Sequence, residues 1–472
     1  MTSTIKVNTI QNTCGADIIK ESSNTITIGA SGDTIALASG ASQTGFGRTG
    51  TVNWVTTKKT TGFTAVSGEG YFCDTAASGA FTLTLPSSPS AGDIVGLKDY
   101  NGNFGTANLT IGRNGSPING GSAVDPVIST DGASILLVYV DASQGWVATN
   151  DDESTFSGEN FIVASGGTTA DCGNFRTHTF TGPGTFTVSS ISATAANNIA
   201  DYLVVGAGGG GGGGRAGGGG AGGFRTSNAL GLPAPTTSPL ASPTGITLTA
   251  TAFPIAVGSG GTGQSANVGT NGNVATFSTI TSAGGGGGGQ DGKTGGDGGS
   301  GGGGGESSVG SAIGAGNTPP VAPPQGNPGG ASQHAPPTGG PHPASPAPYA
   351  GGGGGGAGAQ GGRSDESSPP GAGGPGGIGS FISTTFAGSN GTTGPVSSTR
   401  YFAGGGGGYG CASSNPGGTA PGGAGGGGAG GANAGVAGTA NTGGGGGAEG
   451  NIPGGVGATG GSGIVIIRYK FQ

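Results

Sequence analysis

Charge is what this sequence has least of. Asp, Glu, Lys and Arg make up 8% of its 472 residues, against about a quarter in ordinary globular chains. With 15 Lys and Arg and a net charge of −7, no basic surface can form to neutralise a run of phosphates, which argues against a nucleic-acid partner. There is one methionine, few Leu, Glu or Lys, and no apolar recurrence at the helical period, so no helix is predicted. No apolar run reaches ~18 residues, the length a membrane-crossing helix needs. Met1-Thr-Ser-Thr-Ile-Lys-Val7 lacks the basic segment and apolar run of a secretory signal, so the expectation is a protein made in a cytoplasm and not secreted. The four cysteines, Cys14, Cys73, Cys172 and Cys411, form no CxxC pair. Zinc and thioredoxin-like readings fail, and free thiols in a reducing compartment are expected. Three scattered histidines, His178, His334 and His342, offer no Ser/His/Asp or Cys/His constellation. The acid pairs Asp151-Asp152 and Asp365-Glu366 read as solvated turns. No enzyme, cofactor or metal site is expected.

What the chain has is glycine, 121 residues of it, with 28 prolines. The glycines concentrate between two apolar strands, Asp201-Tyr-Leu-Val-Val205 and Ile464-Val-Ile-Ile-Arg-Tyr469. Between them, glycine blocks alternate with dissimilar inserts: Phe224–Val257, Gln264–Ala283, Glu306–Ala350, Arg363–Pro370, Phe381–Phe402 and Tyr409–Asn415. Such a composition without a three-residue period usually means disorder, but disordered chains are charge-rich and this one is not.

The preceding residues read as β structure. Residues 1–48 alternate weakly (Ile5/Val7, Ile26/Ile28, Ile35/Leu37) and suggest short strands stable only when several chains wrap together: a trimeric shaft or attachment segment. Residues 49–150 hold both tryptophans and strand candidates Val52–Thr56, Tyr71–Cys73, Phe81–Leu85, Asp93–Lys98, Asn108–Ile111, Val127–Ser129, Ser134–Val140 and Gly145–Ala148. Turn signals such as Asn114-Gly115 and Asp131-Gly132 separate them, which predicts a sandwich or barrel. Residues 151–200 read as a small β link around Gly182-Pro183-Gly184. Residues 201–472 form the glycine-rich domain. His178 reads as a packing or surface residue.

Two nucleotide-binding patterns occur by letter and fail by context. Val204-Val205-Gly206-Ala207-Gly208-Gly-Gly-Gly211 matches a strand followed by G-x-G-x-x-G, and Gly287 to Thr294 matches a P-loop. Both mechanisms need a helix whose N-terminus faces phosphate. Glycine continues after each, so no helix can follow.

Polyglycine has two fates: a flexible coil, or an extended helix of three residues per turn. Helices of the second kind have no internal hydrogen bonds and no side chains. They can pack side by side, each N–H finding a neighbour's carbonyl. Collagen is excluded, because its strict glycine period is missing. A strut of 10–12 residues would run on the order of 30–37 Å, with the inserts as loops at its two ends. Loops on a rigid scaffold carry recognition. The candidate contact residues are Phe224, Arg225, His334, His342, Tyr349, Phe381, Phe386, Tyr401, Phe402 and Tyr409. Aromatics there either touch a receptor or plug the bundle ends as small cores; the sequence does not choose.

The frame from Asp201-Tyr-Leu-Val-Val-Gly to Gly461-Ser-Gly-Ile-Val-Ile-Ile-Arg-Tyr469 resembles the glycine-rich terminal domain of bacteriophage tail fibres and adhesins. Phe180-Thr-Gly-Pro-Gly-Thr-Phe-Thr-Val188 resembles what precedes that domain. Leu85-Pro-Ser-Ser-Pro-Ser-Ala-Gly-Asp93 with Asp131-Gly-Ala-Ser134 is similar to a β domain in fibres of marine phages, those of cyanobacteria included. Ser3-Thr-Ile-Lys-Val-Asn-Thr-Ile-Gln-Asn12 resembles a fibre N-terminus. The resemblance implies an all-β homotrimer on the virion, joined to tail, baseplate or adaptor proteins at its N-terminus. Its C-terminal tip would be a sandwich of polyglycine II helices whose inserts bind a host surface polysaccharide or outer-membrane protein. The alternative is a glycine-rich matrix or linker protein without specific recognition.

Overall fold

The computed structural model describes residues 9–11, 17–22, 25–28, 52–149, 161–192, 194–232, 234–307, 312–332, 350–364, 371–410, 420–431, 434–450 and 455–471. Among them the chain is nearly all β, with two four-residue helices, Thr75–Ser78 and Thr384–Ala387. The expected strand pair Ile26/Ile28 lies in Thr25–Ile28, the last strand of a small antiparallel meander with Thr9–Gln11 and Asp17–Ser22. Ile5/Val7, Ile35/Leu37, Cys14, Cys411, Asp151-Asp152 and Asp365-Glu366 lie outside the described residues.

The chain forms two compact units: residues 1–114, 127–142 and 146–151 make one, and 115–126, 143–145 and 152–472 the other. All eight strands predicted in 49–150 appear within three residues of their expected ends, and the short Phe63–Thr64 is added. Their pairing is less expected. Asn53–Lys59, Glu69–Cys73 and Ile94–Asp99 lie side by side in parallel, and Phe63–Thr64, Phe81–Thr84 and Leu109–Gly112 do the same in a second sheet. The chain therefore visits the two sheets alternately, like a short coil. Ser134–Asp141 then closes antiparallel on Ile94–Asp99, and Val127–Ile128 on Leu109–Gly112. Phe63 of one sheet meets Tyr71 of the other edge-on, ring centroids 4.8 Å apart. Alternate residues Leu83, Leu85, Val95, Leu97, Leu109, Ile111, Ile135 and Leu137 are buried, as the two-residue strand period requires. Cys73 is a free thiol in this core, its pKa pushed up to about 12 by burial. Asp99 organises the loops above: its carboxylate accepts N–H bonds from Gly102, Asn103, Phe104 and Gly132 at 3.1, 3.0, 3.3 and 2.9 Å.

In the second unit the two apolar frame strands, Ile199–Val205 and Ile464–Lys470, pair antiparallel along their length. The segment expected as a separate link is woven into this frame. Phe175–Phe180 pairs with Ile464–Lys470, and Gly184–Ser190 pairs with Ala252–Ala256 in an adjacent sheet. The physical reason is that both faces of the frame strands are apolar, so each needs a cover. Tyr202, Val204, Val465, Ile467 and Tyr469 share one core with Phe186, Ile255 and Phe277. Leu203, Val205, Ile464 and Ile466 share another with Phe224, Ile382, Phe386 and Phe402. His178 is fully buried in the first of these walls: Nδ1 is 2.6 Å from the Gly166 carbonyl and Nε2 is 3.1 Å from the Tyr469 hydroxyl. Burial holds its pKa below the ordinary value, with Arg176 adding to the effect.

Beyond the frame the chain runs as extended glycine struts, and the hydrogen bonds define their form. In strut 206–214, Gly206, Gly209 and Gly212 donate to Gly223, Gly220 and Gly217; Ala207, Gly210 and Gly213 donate to Asn273, Thr270 and Asn267; Gly208 and Gly211 donate to Gly461 and Ala458, all at 2.9–3.2 Å save the last at 2.8 Å. Every third residue thus meets the same neighbour, the signature of a three-residue helix. The carbonyls repeat the pattern towards three other neighbours: Ala207 and Gly210 accept from Gly285 and Gly288, Gly208 and Gly211 from Gly261 and Gln264, Gly209 and Gly212 from Gly446 and Glu449. The strut is surrounded on six sides, and its backbone polar groups are satisfied by other struts. At a rise of ~3.1 Å per residue it runs about 28 Å, shorter than the 10–12-residue strut expected. Glycine is required by contact: a Cβ on Gly208 would fall 2.0 Å from the Gly444 carbonyl oxygen, and one on Gly218 2.1 Å from that of Gly406.

Candidate functional site

The struts give the second unit two ends. The framed end is where Val205 enters the first strut and Ile464 leaves the last. The far end is where 206–214 turns into 216–223 through Gly214 and Arg215, both at positive φ (81° and 52°).

At the framed end the inserts are built into the core. Phe224–Ser227 joins the frame sheet beside Ile199–Val205. Ser380–Ser383 and Thr399–Phe402 form a hairpin enclosing the helical turn Thr384–Ala387. The Ser383 side chain caps that turn, accepting from the Thr385 N–H at 3.2 Å. Arg400 ties the rest of the loop down by donating to the carbonyls of Asn390, Ser389 and Gly391 at 2.8, 2.7 and 2.6 Å.

Under this end lies a buried charge pair. Arg468 Nη1 is 3.3 Å from Asp201 Oδ2, and both residues are below 5% exposure. Asp201 also accepts from Ser227 Oγ and Ala229 N, each at 2.7 Å, and from Leu230 N at 3.2 Å. The guanidinium stacks over Phe175, 3.9 Å to the ring centroid. Burial lowers the Arg468 pKa, and Asp201 opposes it. These two residues are absent from the sequence-level candidates, although one charge inside each of two apolar strands was a readable sign of pairing.

Of the ten candidate contact residues, Phe224, Phe386, Phe402 and Tyr401 are buried at the framed end. These four fill the framed end as core: Phe224, Phe386 and Phe402 cover the apolar side chains Leu203, Val205, Ile464 and Ile466, and Tyr401 packs on Phe381. Phe381 is half-buried against Tyr401, ring centroids 5.3 Å apart, and Arg225 is half-buried beside the Tyr202 hydroxyl. Tyr409 is at the far end with Ala216 and Ala448. Its N–H donates to the Ala216 carbonyl at 3.1 Å, and its own carbonyl accepts from Gly351 at 2.9 Å. His334, His342 and Tyr349 lie outside the described residues, between Ser332 and Ala350.

The far end is a set of strut termini. Glu306 N–H donates to the Arg215 carbonyl at 2.9 Å, and Gly292 N–H to that of Glu306 at 2.6 Å. The Arg215 guanidinium stands 3.9 Å from the exposed Asp291, a loose surface pair of small energy, and 4.0 Å from the buried Glu306. Ser332, Ser364, Gly431 and Gly450 are further termini at this level. The stretch 306–350, expected as one insert, contains two struts. Residues 312–317 run to the framed end, where Gln325 accepts from Ala283 N–H at 2.9 Å, and 326–332 return. Ser332 thus stands at the far end again.

The P-loop letters fall in a turn: Lys293 N–H donates to the Gln290 carbonyl at 2.7 Å, and Gly292 has φ 70°. The glycines after Val205 run on as a strut rather than a helix. Among the described residues no three His, Cys, Asp or Glu side chains gather as a metal-ligand set, and no helix is long and apolar enough to cross a membrane.

No curated protein matches the chain. A sequence model described as a glycine-rich domain matches residues 181–470, which begins inside the woven frame and ends with its last strand. The match spans more than half of the sequence and coincides with the frame and struts, so the chain belongs to the glycine-rich domain family.

Proposed function

We propose that this chain is a structural attachment protein, a bacteriophage tail fibre, whose strut bundle holds recognition loops against the host surface at its far end. One observation carries the reading: the inserts are sorted. At the framed end the aromatic residues Phe224, Phe386, Tyr401 and Phe402 are buried as core, whereas the described termini Ser332, Ala350, Ser364, Gly410, Gly431 and Gly450 stand at the opposite end. A rigid platform with its sequence diversity at one end is the arrangement recognition needs. On this reading the N-terminal strands serve trimer assembly and joining to the tail, baseplate or an adaptor. The far-end loops contact a host polysaccharide or outer-membrane protein.

The test is loop replacement scored by adsorption to host cells. Exchanging 333–349 for a glycine-serine linker should reduce adsorption tenfold or more. Exchanging the framed-end loop 388–397 should leave it within twofold. Equal adsorption of both variants and the parent would leave a glycine-rich spacer as the better account.

A further inference from the structure

Large aromatic side chains in the first unit divide sharply by burial. Trp146 is fully buried, but Trp54 keeps 40% of its surface exposed and Tyr100 51%. These exposed rings form a row: Trp54 and Phe72 have centroids 5.0 Å apart, Phe72 and Tyr100 6.4 Å. Trp54 sits on the edge strand Asn53–Lys59, Phe72 on its neighbour Glu69–Cys73, and Tyr100 directly after Ile94–Asp99. The indole lies on the Gly70 backbone, where a Cβ would be 2.8 Å from a ring carbon. Glycine at that position is what seats the ring.

A polar group flanks the row and is set from below. Asp74, 1% exposed, accepts from Lys58 Nζ at 2.7 Å and from Asn101 Nδ2 at 2.9 Å. Lys58 Nζ also stands 5.0 Å from the Tyr100 ring centroid. The ammonium is therefore countered by a carboxylate, and its remaining donors, with the amide oxygen of Asn101, edge an aromatic surface without net charge.

We propose that this row binds a neutral glycan. The apolar C–H faces of successive pyranose rings would stack on Trp54 and Tyr100, and ring hydroxyls would bond to Lys58 and Asn101. Exposed rings fixed by the backbone suit such stacking, because little conformational entropy is lost on binding. A phosphate or carboxylate ligand would need an uncompensated cation, which the Asp74 pairing removes. Addition of a second copy along the edge strand is opposed by Lys58 and Lys59, since edge lysines block strand pairing. The proposal concerns the first unit and stands apart from the attachment reading.

Native affinity electrophoresis of the full chain through gels containing dextran, galactomannan or laminarin tests it. At least one polysaccharide should retard the parent, and Trp54→Ala and Tyr100→Ala should each weaken retention about tenfold. Trp54→Phe, which keeps a ring on Gly70, should fall between, and Val140→Ala, exposed elsewhere, should behave as the parent. Because Trp146 is buried, a shift in tryptophan emission on titration with oligosaccharides of the retarding polymer reports Trp54. Retardation by none of the three polymers, or unchanged retention of Trp54→Ala, overturns the proposal. So does a lower sedimentation coefficient for Trp54→Ala, which would make the row an interface between copies.

Discussion

The two units fill their interiors with different material. In residues 52–149 the space between sheets is occupied by side chains: Leu83, Leu97, Leu109, Ile111 and Trp146 are fully buried. In the struts of the second unit it is occupied by backbone, most strut glycines lying where a neighbour's carbonyl leaves no room for a Cβ. A side-chain core is forgiving of added or rearranged volume because rotamers can change. A backbone core has no rotamers. What it offers instead is hydrogen bonding in every direction around each strut, at the cost of ordering the residue with the most freedom to lose. The apolar side chains that the second unit does possess are spent at the framed end, where struts stop.

The most forceful way to break that contrast is to add volume to a strut. Gly218→Val should destabilise the second unit by about 4 kcal/mol, above the usual 1–3 for overpacking, because the obstructing atom is the Gly406 backbone oxygen. Gly182→Ala, with open space around the added methyl, should change stability by less than ~0.5 kcal/mol. The mirror experiment removes volume from the first unit: Leu97→Ala should cost about 3 kcal/mol. Both tryptophans, Trp54 and Trp146, lie in the first unit, so their emission should follow Leu97→Ala and ignore Gly218→Val, while amide exchange across 206–223 should do the reverse. A strut that accepts valine without faster exchange would refute backbone packing.

A comparable loss is expected at the ion pair buried under the frame of the second unit. Asp201→Ala should cost about 3–4 kcal/mol, since Arg468 would remain buried and unpaired. The double variant Asp201→Leu with Arg468→Met should recover most of what Asp201→Leu alone loses; denaturant midpoints of the parent, Asp201→Leu, Arg468→Met and the double variant give the coupling. Additive single effects would sever the pair.

The smallest effect is a pH dependence confined to the second unit. Burial lowers the His178 pKa in the folded state, so above about 6.5, the ordinary histidine value, the ring is neutral in both states and stability is full. As pH falls from there towards the folded pKa, the unfolded chain takes up the proton first. Stability should drop by at most ~1.4 kcal/mol per pH unit. Thermal midpoints of the second unit at pH 7.5 and 5.0 measure it, and His178→Gln should flatten the difference. A midpoint that rises on acidification would contradict the buried neutral ring.

How much of this was readable in advance differs between the units. The strands of 52–149 were legible because Leu83/Leu85, Val95/Leu97 and Ile135/Leu137 alternate at the strand period. Their partners were not, because alternation says which face a residue takes and nothing about which strand lies alongside. The parallel winding therefore came only from the structure. For the struts, the three-residue helix was legible from glycine runs without side chains. The end to which each insert belongs was not. Successive inserts would alternate ends if every reversal were visible, but reversals at 298–299 and 424–426 are made of Gly and Ala alone, and those at 213–216 and 358–360 add only Arg215 and Gln360, so they leave little mark. Missing them loses the parity, which is why the sequence leaves Phe386 and Phe402 open between receptor contact and core, whereas both are buried.

The threefold repeat within each strut limits how the gene can change. Gly209 bonds to Gly220 and Gly212 to Gly217, while the residues between them serve other neighbours. Deleting one codon inside a strut would rotate everything downstream by a third of a turn and re-aim each amide at the wrong partner. Length polymorphism is thus confined to the connections between strut termini, where a codon more or less disturbs no register. The lattice acts as a fixed reading frame, and the loops at its far end are the open field in which insertions and deletions can accumulate.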